Sequence, residues 1–304
     1  MKNIDCSVVG DAMIDISLPL SGIENVHSLA QGGAANTKMR LSFGGSTNIA
    51  FYITKLGGNS VFIGRVGDDY FGKIFLEDLE ENGIPARVSV SKGENTGVVF
   101  VLVFPDGERF FIVDRGANAG LRYEDSDLDL IRDSKFFFFS GYSFQDKEVS
   151  DGTRRLLNEI INDTSIVFNP GAPNLAKEFK DSFTDVIGKY VSILILNEAE
   201  ARYLTECSSE REMIDSLLSL ASTVALTRGG RGSIIATKNE VHYIKANSVK
   251  VLDTTGAGDA YAAGFIYGLS QGWDVKTTGE FASRIAEQVV SQFGARVKFS
   301  TPSS

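Results

Sequence analysis

The densest chemistry in the chain lies in Thr254-Thr255-Gly256-Ala257-Gly258-Asp259. A Gly-Ala-Gly turn does not continue a helix, and the small-residue apolar run Ala260–Leu269 behind it reads as a buried one. Such a turn at a helix N-terminus leaves several backbone N–H groups free and close together. With the helix dipole they favour a phosphate or a developing negative charge. Asp259 stands where its carboxylate accepts a proton beside that anion hole. The plain alternative is a strand–turn–helix with a capping aspartate, and a lone GAGD does not separate the two. Asp253 precedes the turn, at the end of the strand-like Val251-Leu252.

The elements that must position this stretch repeat one unit, a short apolar strand followed by a helix. Strands are expected at Ile4–Val9, Val61–Val66, Lys135–Ser140, Ser165–Phe168, Ser192–Leu196 and Val224–Leu226. Helices are expected at Ile49–Leu56, Lys73–Asn82, Ser150–Asn162 and Thr278–Gln292. The pattern implies a mostly parallel sheet with helices on both faces. Polar residues recur at strand ends: Asp11, Asn169, Asn197, Thr227 and Asp253. A parallel sheet brings such ends to one edge, where ligands bind. Asp15 is read with Asp11 at the carboxyl end of the first strand. Gly44-Gly45 permit close approach of a ligand to backbone, and Asn48 falls in the first turn of the helix behind them.

Extended segments at Ile16–Leu20 and Thr37–Phe43 flank a loop, Gln31–Asn36. A hairpin is expected from Gly97–Phe104 and Arg109–Asp114 around Pro105-Asp106-Gly107, and a second from Ile234–Ala236 and Val241–Ile244. The early segments and the first hairpin suggest a small antiparallel sheet whose outer apolar face a partner or substrate would cover. Gly67-x4-Gly72-Lys73 imitates a P-loop, but Ile74 stands where Mg²⁺ needs a hydroxyl, so it reads as a structural turn. The four phenylalanines Phe136–Phe139 read as core.

The 304 residues allow one large α/β domain, and 43% hydrophobic content supports a sizeable core. A net charge of −9 argues against a general nucleic-acid or anionic-membrane binder. Cys6 and Cys207 form no CxxC pattern, and His27 and His242 are isolated, which argues against a disulfide framework and a zinc site. No apolar run reaches membrane-spanning length and no leader pattern opens the chain, so a cytoplasmic protein is expected.

Two long motifs now carry a resemblance. Gly44–Gly72, GGSTNIAFYITKLGGNSVFIGRVGDDYFG, and Asp253–Phe265, DTTGAGDAYAAGF, are similar to the N- and C-terminal signatures of the ribokinase-like, or PfkB, family of carbohydrate and nucleoside kinases. NEAE at Asn197–Glu200 and TRGGRG at Thr227–Gly232 stand between them in the family's order, and the similarity runs from Val8 to Arg296. The resemblance implies one domain over 1–304: a three-layer α/β/α ribokinase-like core with a small β-sheet lid, its segments inserted at roughly 14–43 and 96–115. It implies ATP as phosphoryl donor, Mg²⁺, and a sugar or nucleoside hydroxyl as acceptor. Asp259 matches the catalytic base, and Gly256, Ala257 and Gly258 the anion hole. Asp11, Asp15, Gly44, Gly45 and Asn48 match acceptor-binding positions. Asn197 and Glu200 match the motif that organises Mg²⁺ through water, Asn169 a phosphate-side position, and Thr227, Gly229 and Gly232 the nucleotide loop. Asp253 and the carbonyl of Thr255 match a potassium site found in many members. A homodimer joined through the lids would cover their apolar face. A nucleoside kinase and a non-catalytic binding protein of the same fold are the alternatives to a sugar kinase. A Rossmann dehydrogenase is disfavoured, because Gly10-Asp11-Ala12 replaces a GxGxxG after the first strand.

Overall fold

The computed structural model describes residues 2–20, 37–105 and 109–301. The expected loop at Gln31–Asn36 and the tip of the first hairpin, Asp106-Gly107, lie outside the described residues.

The chain opens with β1 (Ile4–Val9), bends at Asp11, and runs straight into β2 (Ala12–Pro19). Asp15 therefore lies inside a second strand rather than at the end of the first. After β3 (Arg40–Gly45) come α1 (Thr47–Lys55), β4 (Ser60–Gly67), α2 (Tyr70–Glu81), β5 (Ala86–Ser91), β6 (Gly97–Val103) and β7 (Arg109–Asp114). The middle of the chain adds α3 (Asp125–Arg132), β8 (Ser134–Ser140), α4 (Lys147–Ile160), β9 (Ser165–Asn169), α5 (Pro173–Glu178), α6 (Lys180–Tyr190), β10 (Ile193–Asn197), α7 (Glu198–Thr205) and α8 (Glu210–Leu218). β11 (Thr223–Thr227), β12 (Ser233–Thr237), β13 (Val241–Ile244), α9 (Ala257–Ser270) and α10 (Val275–Val290) complete it.

Nine strands form one sheet in the order β13-β12-β11-β10-β9-β8-β1-β4-β5. Pairing is parallel from β11 through β5, and the β11–β12 and β12–β13 pairs are antiparallel, so that β12 alone runs against the rest. Successive side chains of each inner strand enter opposite cores, as a two-residue period requires. Phe138 joins the face covered by α1, α9 and α10, whereas Phe137 and Phe139 join the face covered by α3 to α8. The phenylalanine run is core, packed ring to ring with Phe144, Phe168 and Phe183.

A separate four-stranded sheet has the order β3-β2-β6-β7. β2 pairs antiparallel with β3 and parallel with β6, and β6 pairs antiparallel with β7. The expected all-antiparallel arrangement thus gains one parallel pair, because the two hairpin-like units enter the sheet from the same edge of the core. Phe110, Phe111, Ile112 and Val113 of β7 are all exposed.

Several boundaries differ from the expectation for local reasons. α2 begins at Tyr70 rather than Lys73 because Asp69 caps it, accepting from Gly72 N–H at 2.8 Å and from Thr96 N–H and Oγ1 at 3.0 and 2.6 Å. The turn before it is structural, as its sequence suggests. α10 begins at Val275 behind the Asp274 cap. No strand forms at Val251-Leu252: the Leu252 N–H instead donates to the Val290 carbonyl at the end of α10, at 2.7 Å. Asp253 accordingly follows a coil. No described helix is long and apolar enough to cross a membrane.

Candidate functional site

α9 starts at Ala257, so Asp259 lies in its first turn rather than before it. Gly256 is the N-cap with φ +76°, and a Cβ there would fall 2.5 Å from the Ala295 carbonyl oxygen. Only glycine meets both demands. No side chain caps this helix end. The first N–H groups of a helix have no partner inside it, and the space beside Gly258 is open. The Ala257 N–H is turned back to the Thr254 carbonyl at 3.3 Å, which leaves the Gly258 and Asp259 N–H groups as the donors at this helix start.

Asp259 is partly buried and accepts a hydrogen bond from Asn48 Nδ2 at 2.9 Å. Burial pushes its carboxyl up to about 6, against that hydrogen bond and the charge of Arg296. Asn48 sits in the first turn of α1, itself buried. Across from it, Asp15 on β2 accepts no hydrogen bond among the described residues. Burial, and then the charge of Asp259, push it up to about 7 despite Arg296. Gly44 lets Asp15 lie against β3, since a Cβ there would meet its Oδ2 at 2.4 Å. Gly45 plays the same part beneath the Asp11 carbonyl.

Asp11 is held differently. Arg115 grips it with two hydrogen bonds, Nη2 to Oδ1 at 2.7 Å and Nε to Oδ2 at 3.2 Å, and also pairs with Asp146. Fork-to-carboxylate contacts of this kind fix direction as well as charge. Tyr142, 39% exposed over the whole residue, stands among Asp259, Asp11, Glu200 and Asp15, and desolvation by the surrounding protein, then those negative charges, raises its phenol to about 12.

On the other side of the α9 start, Asn197 caps α7 by accepting from Glu200 N–H at 2.9 Å, and Glu200 Oε2 accepts from the Asn197 N–H at 2.8 Å. The NEAE spacing is therefore a capping box. Glu200 is 2% exposed, and burial pushes it up to about 7 against those hydrogen bonds. Asn169 donates to the Ile195 carbonyl at 2.9 Å and accepts from Gly171 N–H at 2.7 Å, tying the ends of β9 and β10 together. Thr227 Oγ1 donates to the Leu196 carbonyl at 3.3 Å. Gly229 opens a short helical turn, and Gly232, with φ +87°, lies against Ile244. A cavity of about 500 Å³ opens between α10 and the segment after β13, lined by Asn247, Val249, Glu287 and Ser300 among others, and no residue of the Thr227–Gly232 loop lines it. Asp253 accepts from Thr255 N–H and Oγ1 and from Gly294 N–H, at 2.9, 2.6 and 3.0 Å.

The sheet edge thus gathers Asp11, Asp15, Gly44, Gly45, Asn48 and Gly256–Asp259 at one end. Asn169, Asn197, Glu200 and Thr227 follow in strand order β9, β10, β11. Sequence reasoning missed Arg115 and Arg296, whereas Tyr142, with Phe100, Phe110 and Phe111, is among the aromatic residues it offers for a base-binding site. Arg115 carried one signal, its place where the first hairpin returns to the core. Arg296 carried none in spacing.

A model of the pfkB family of carbohydrate kinases matches residues 3–302. The chain belongs to that family. An uncharacterized sugar kinase of Archaeoglobus fulgidus is 29% identical over 245 residues, 80% of this chain and 96% of its own. The crystal structure of adenosine kinase from Sinorhizobium meliloti matches with a TM-score of 0.87 at 25% identity, covering 99% of this chain and 98% of that one. An E. coli structure assigned to ribokinase II, in complex with ATP and Mg²⁺, matches with a TM-score of 0.83 at 25% identity, covering 96% and 94%. The fold of this pfkB-family kinase is ribokinase-like, and the enzyme is a phosphotransferase with an alcohol group as acceptor.

Asp15, which accepts no hydrogen bond from a described residue, supplies a test of the electrostatics. Its carboxyl holds a proton more tightly folded than unfolded, so ionising it costs stability as pH rises from 3.8 through about 7. Asp15→Asn raises the thermal midpoint at pH 8, and the gain fades as pH falls towards 4. Melting curves read by circular dichroism across that range check it; a destabilised variant at pH 8, or a gain independent of pH, contradicts it.

Proposed function

We propose that this kinase transfers the γ-phosphate of ATP to a hydroxyl of a small sugar. The observation that carries the reading is Asp259 in the first turn of α9, beside uncapped N–H groups and touched by a neutral amide. A carboxylate in that setting keeps enough basicity to take a proton near neutral pH. Asp11, Asp15 and Asn48 hold the acceptor's hydroxyls against the Gly44-Gly45 backbone. Asp259 removes the proton of the reacting hydroxyl, whose oxygen attacks the γ-phosphorus as the bond to the β-phosphate oxygen breaks and its electrons leave with ADP. The Gly258 and Asp259 N–H groups, at the Gly256–Ala257 turn, face the charge on the transferring group. The nucleotide runs from that turn along Asn169, Asn197 and the Thr227–Gly232 loop, with Gly229 and Gly232 against it.

Glu200 suits Mg²⁺: its Oε2 is tied to Asn197, while Oε1 accepts no hydrogen bond among the described residues. When bound, the ion neutralises phosphate charge. Contact with the ion would run through water. The reading extends to potassium at Asp253 and the Thr255 carbonyl, in a turn that Gly294 closes. It also extends to a four-stranded sheet, segments roughly 14–43 and 96–115, acting as a lid that excludes water. The exposed strand β7 supports a homodimer joined lid to lid. We place the enzyme in the cytoplasm.

A nucleoside acceptor is the second reading, favoured by one register. Asp15 pairs with Val99, which pairs with Val113, and two residues further Val101 pairs with Phe111. Phe111 thus shares the face of Asp15 and is 54% exposed, whereas Phe100 and Phe110 lie on the other face. That shared face supports a role for the ring against a base.

An acceptor panel of D-fructose, D-ribose, a keto-deoxy sugar acid and adenosine, read by ADP production, decides between them. Sugar-dependent ADP supports the first reading, adenosine-dependent ADP the second, and none with any acceptor leaves the binding protein. Asp259→Asn lowers turnover at least ~10²-fold with ATP binding kept; near-normal turnover removes Asp259 from its role. Glu200→Gln raises the Mg²⁺ concentration needed for half-maximal rate, and an unchanged titration refutes the metal assignment. The same assay in potassium and in choline chloride tests Asp253. Light scattering gives the mass of two chains, and Phe111→Glu with Val113→Glu reduces it to one; a monomeric parent sinks the lid dimer.

A further inference from the structure

Beyond α10 the chain turns back to the site. The Gly294 N–H donates to Asp253, the Tyr52 hydroxyl donates to the Ala295 carbonyl at 2.7 Å, and the Val297 N–H donates to the Tyr52 hydroxyl at 3.3 Å. Between these ties Arg296 enters the interior, its side chain 9% exposed. Each edge of its guanidinium is used. Nε donates to Asn48 Oδ1 at 3.0 Å, Nη2 donates to Thr47 Oγ1 at 2.6 Å, and Nη1 pairs with Asp78 on α2. Its plane lies over Phe43 and Phe51, 5.7 and 5.3 Å from the ring centres. A continuous line of contacts therefore runs Asp78–Arg296–Asn48–Asp259.

An amide has a donor end and an acceptor end of nearly the same shape, and what holds one end decides where the other points. A guanidinium only donates. Asn48 must turn its oxygen to Arg296, and its NH₂ then faces Asp259. With Arg296 absent, the flipped amide would set oxygen against carboxylate.

We infer that Arg296 is a positioning residue for phosphoryl transfer, orienting Asn48 and, with its charge secured by Asp78, keeping Asp259 in the proton-accepting form. This rests on the reading of Asp259 as proton acceptor. Four groups bear on Asp259 from the elements around it: Asp15 from β2, Tyr52 from α1, Tyr142 from the turn after β8, and Arg296. Burial raises both tyrosines, so they are neutral near pH 7, and Asp15 carries the wrong sign. Arg296 is the cation among them. Burial works against its charge and Asp78 supports it. Loss of Arg296 thus raises the pKa of Asp259 above its value of about 6 and moves the acid limb of the rate profile to higher pH.

The test compares wild type with Arg296→Gln, using whichever of D-fructose, D-ribose or adenosine supports ADP production. At pH 5.5 the variant's kcat/KM falls ~8-fold or more, and by pH 9 it recovers to within about threefold, the acid limb having moved up by about one pH unit, the size expected for losing an opposite charge nearby. A mere anchor of the C-terminal segment would lower the rate equally at every pH, and that result overturns the inference. A second readout needs no acceptor: carboxyl ¹³C resonances of aspartate-labelled protein, with Asp259 assigned by its loss in Asp259→Asn. Its titration midpoint rises in Arg296→Gln; an unmoved midpoint overturns the link. Should Arg296→Gln not fold by circular dichroism, Arg296→Gln combined with Asp78→Asn, which leaves no unpaired buried carboxylate, decides instead. An upward shift of limb and midpoint supports the inference, and an unchanged limb and midpoint defeat it. Wild type silent with every acceptor refutes the kinase reading, while the carboxyl titration still judges the Arg296–Asp259 link separately.

Discussion

A carboxylate that is to take a proton must be desolvated and directed without being paired to a cation. A direct ion pair lowers the pKa of an acid by about 1–3 units and removes its basicity. The site meets this constraint by interposing Asn48. The positive charge of Arg296 reaches Asp259 through a neutral amide, so the carboxylate is oriented at modest electrostatic cost. Much of the surrounding architecture follows from that arrangement. α1 presents Asn48, the bend at Gly256 presents the first turn of α9, and the returning C-terminal segment supplies Arg296 between them. Gly256 packs against Ala295, the neighbour of Arg296, so the start of α9 and the Asp259 carboxylate share one buttress.

Asp11 is the contrasting case. Its carboxylate is gripped by Arg115, which suits a group that fixes geometry and exchanges no proton. Arg115 lies just beyond β7, and Asn118 donates to the Ala12 carbonyl at 3.0 Å and accepts from its N–H at 2.8 Å. The return of the small sheet to the core is thereby tied to the start of β2, which carries Asp15. Carboxylates crowded at one sheet edge cost stability where they are ionised, and the parallel core, buried on two faces, is what sustains that cost.

The strand–helix alternation in the sequence was enough for the parallel sheet, because strands buried on both faces need unbroken apolar runs such as Phe136–Phe139. It was blind to β5, which is largely exposed and has no such run, and to α3, α5, α6 and α8, whose short amphipathic stretches resemble loops. Helix starts were misjudged where the cap lay outside the apolar run, as at Asp69 and Asp274. Val251-Leu252 had a strand's composition, but its backbone was claimed by the last carbonyls of α10.

The sequence by itself determined the local chemistry: an acid after a glycine bend, paired glycines before Asn48, and a capping box at Asn197–Glu200. These are properties of adjacent residues, whose backbone needs fix both conformation and donors within a few positions. Only the tertiary structure decided which carboxylate is free and which is gripped. Arg115 lies 104 positions from Asp11, and Arg296 lies 248 positions from Asn48. Hydrogen-bond direction, burial and charge pairing act over a few ångströms in space, and no spacing in the chain encodes contacts made at such separations.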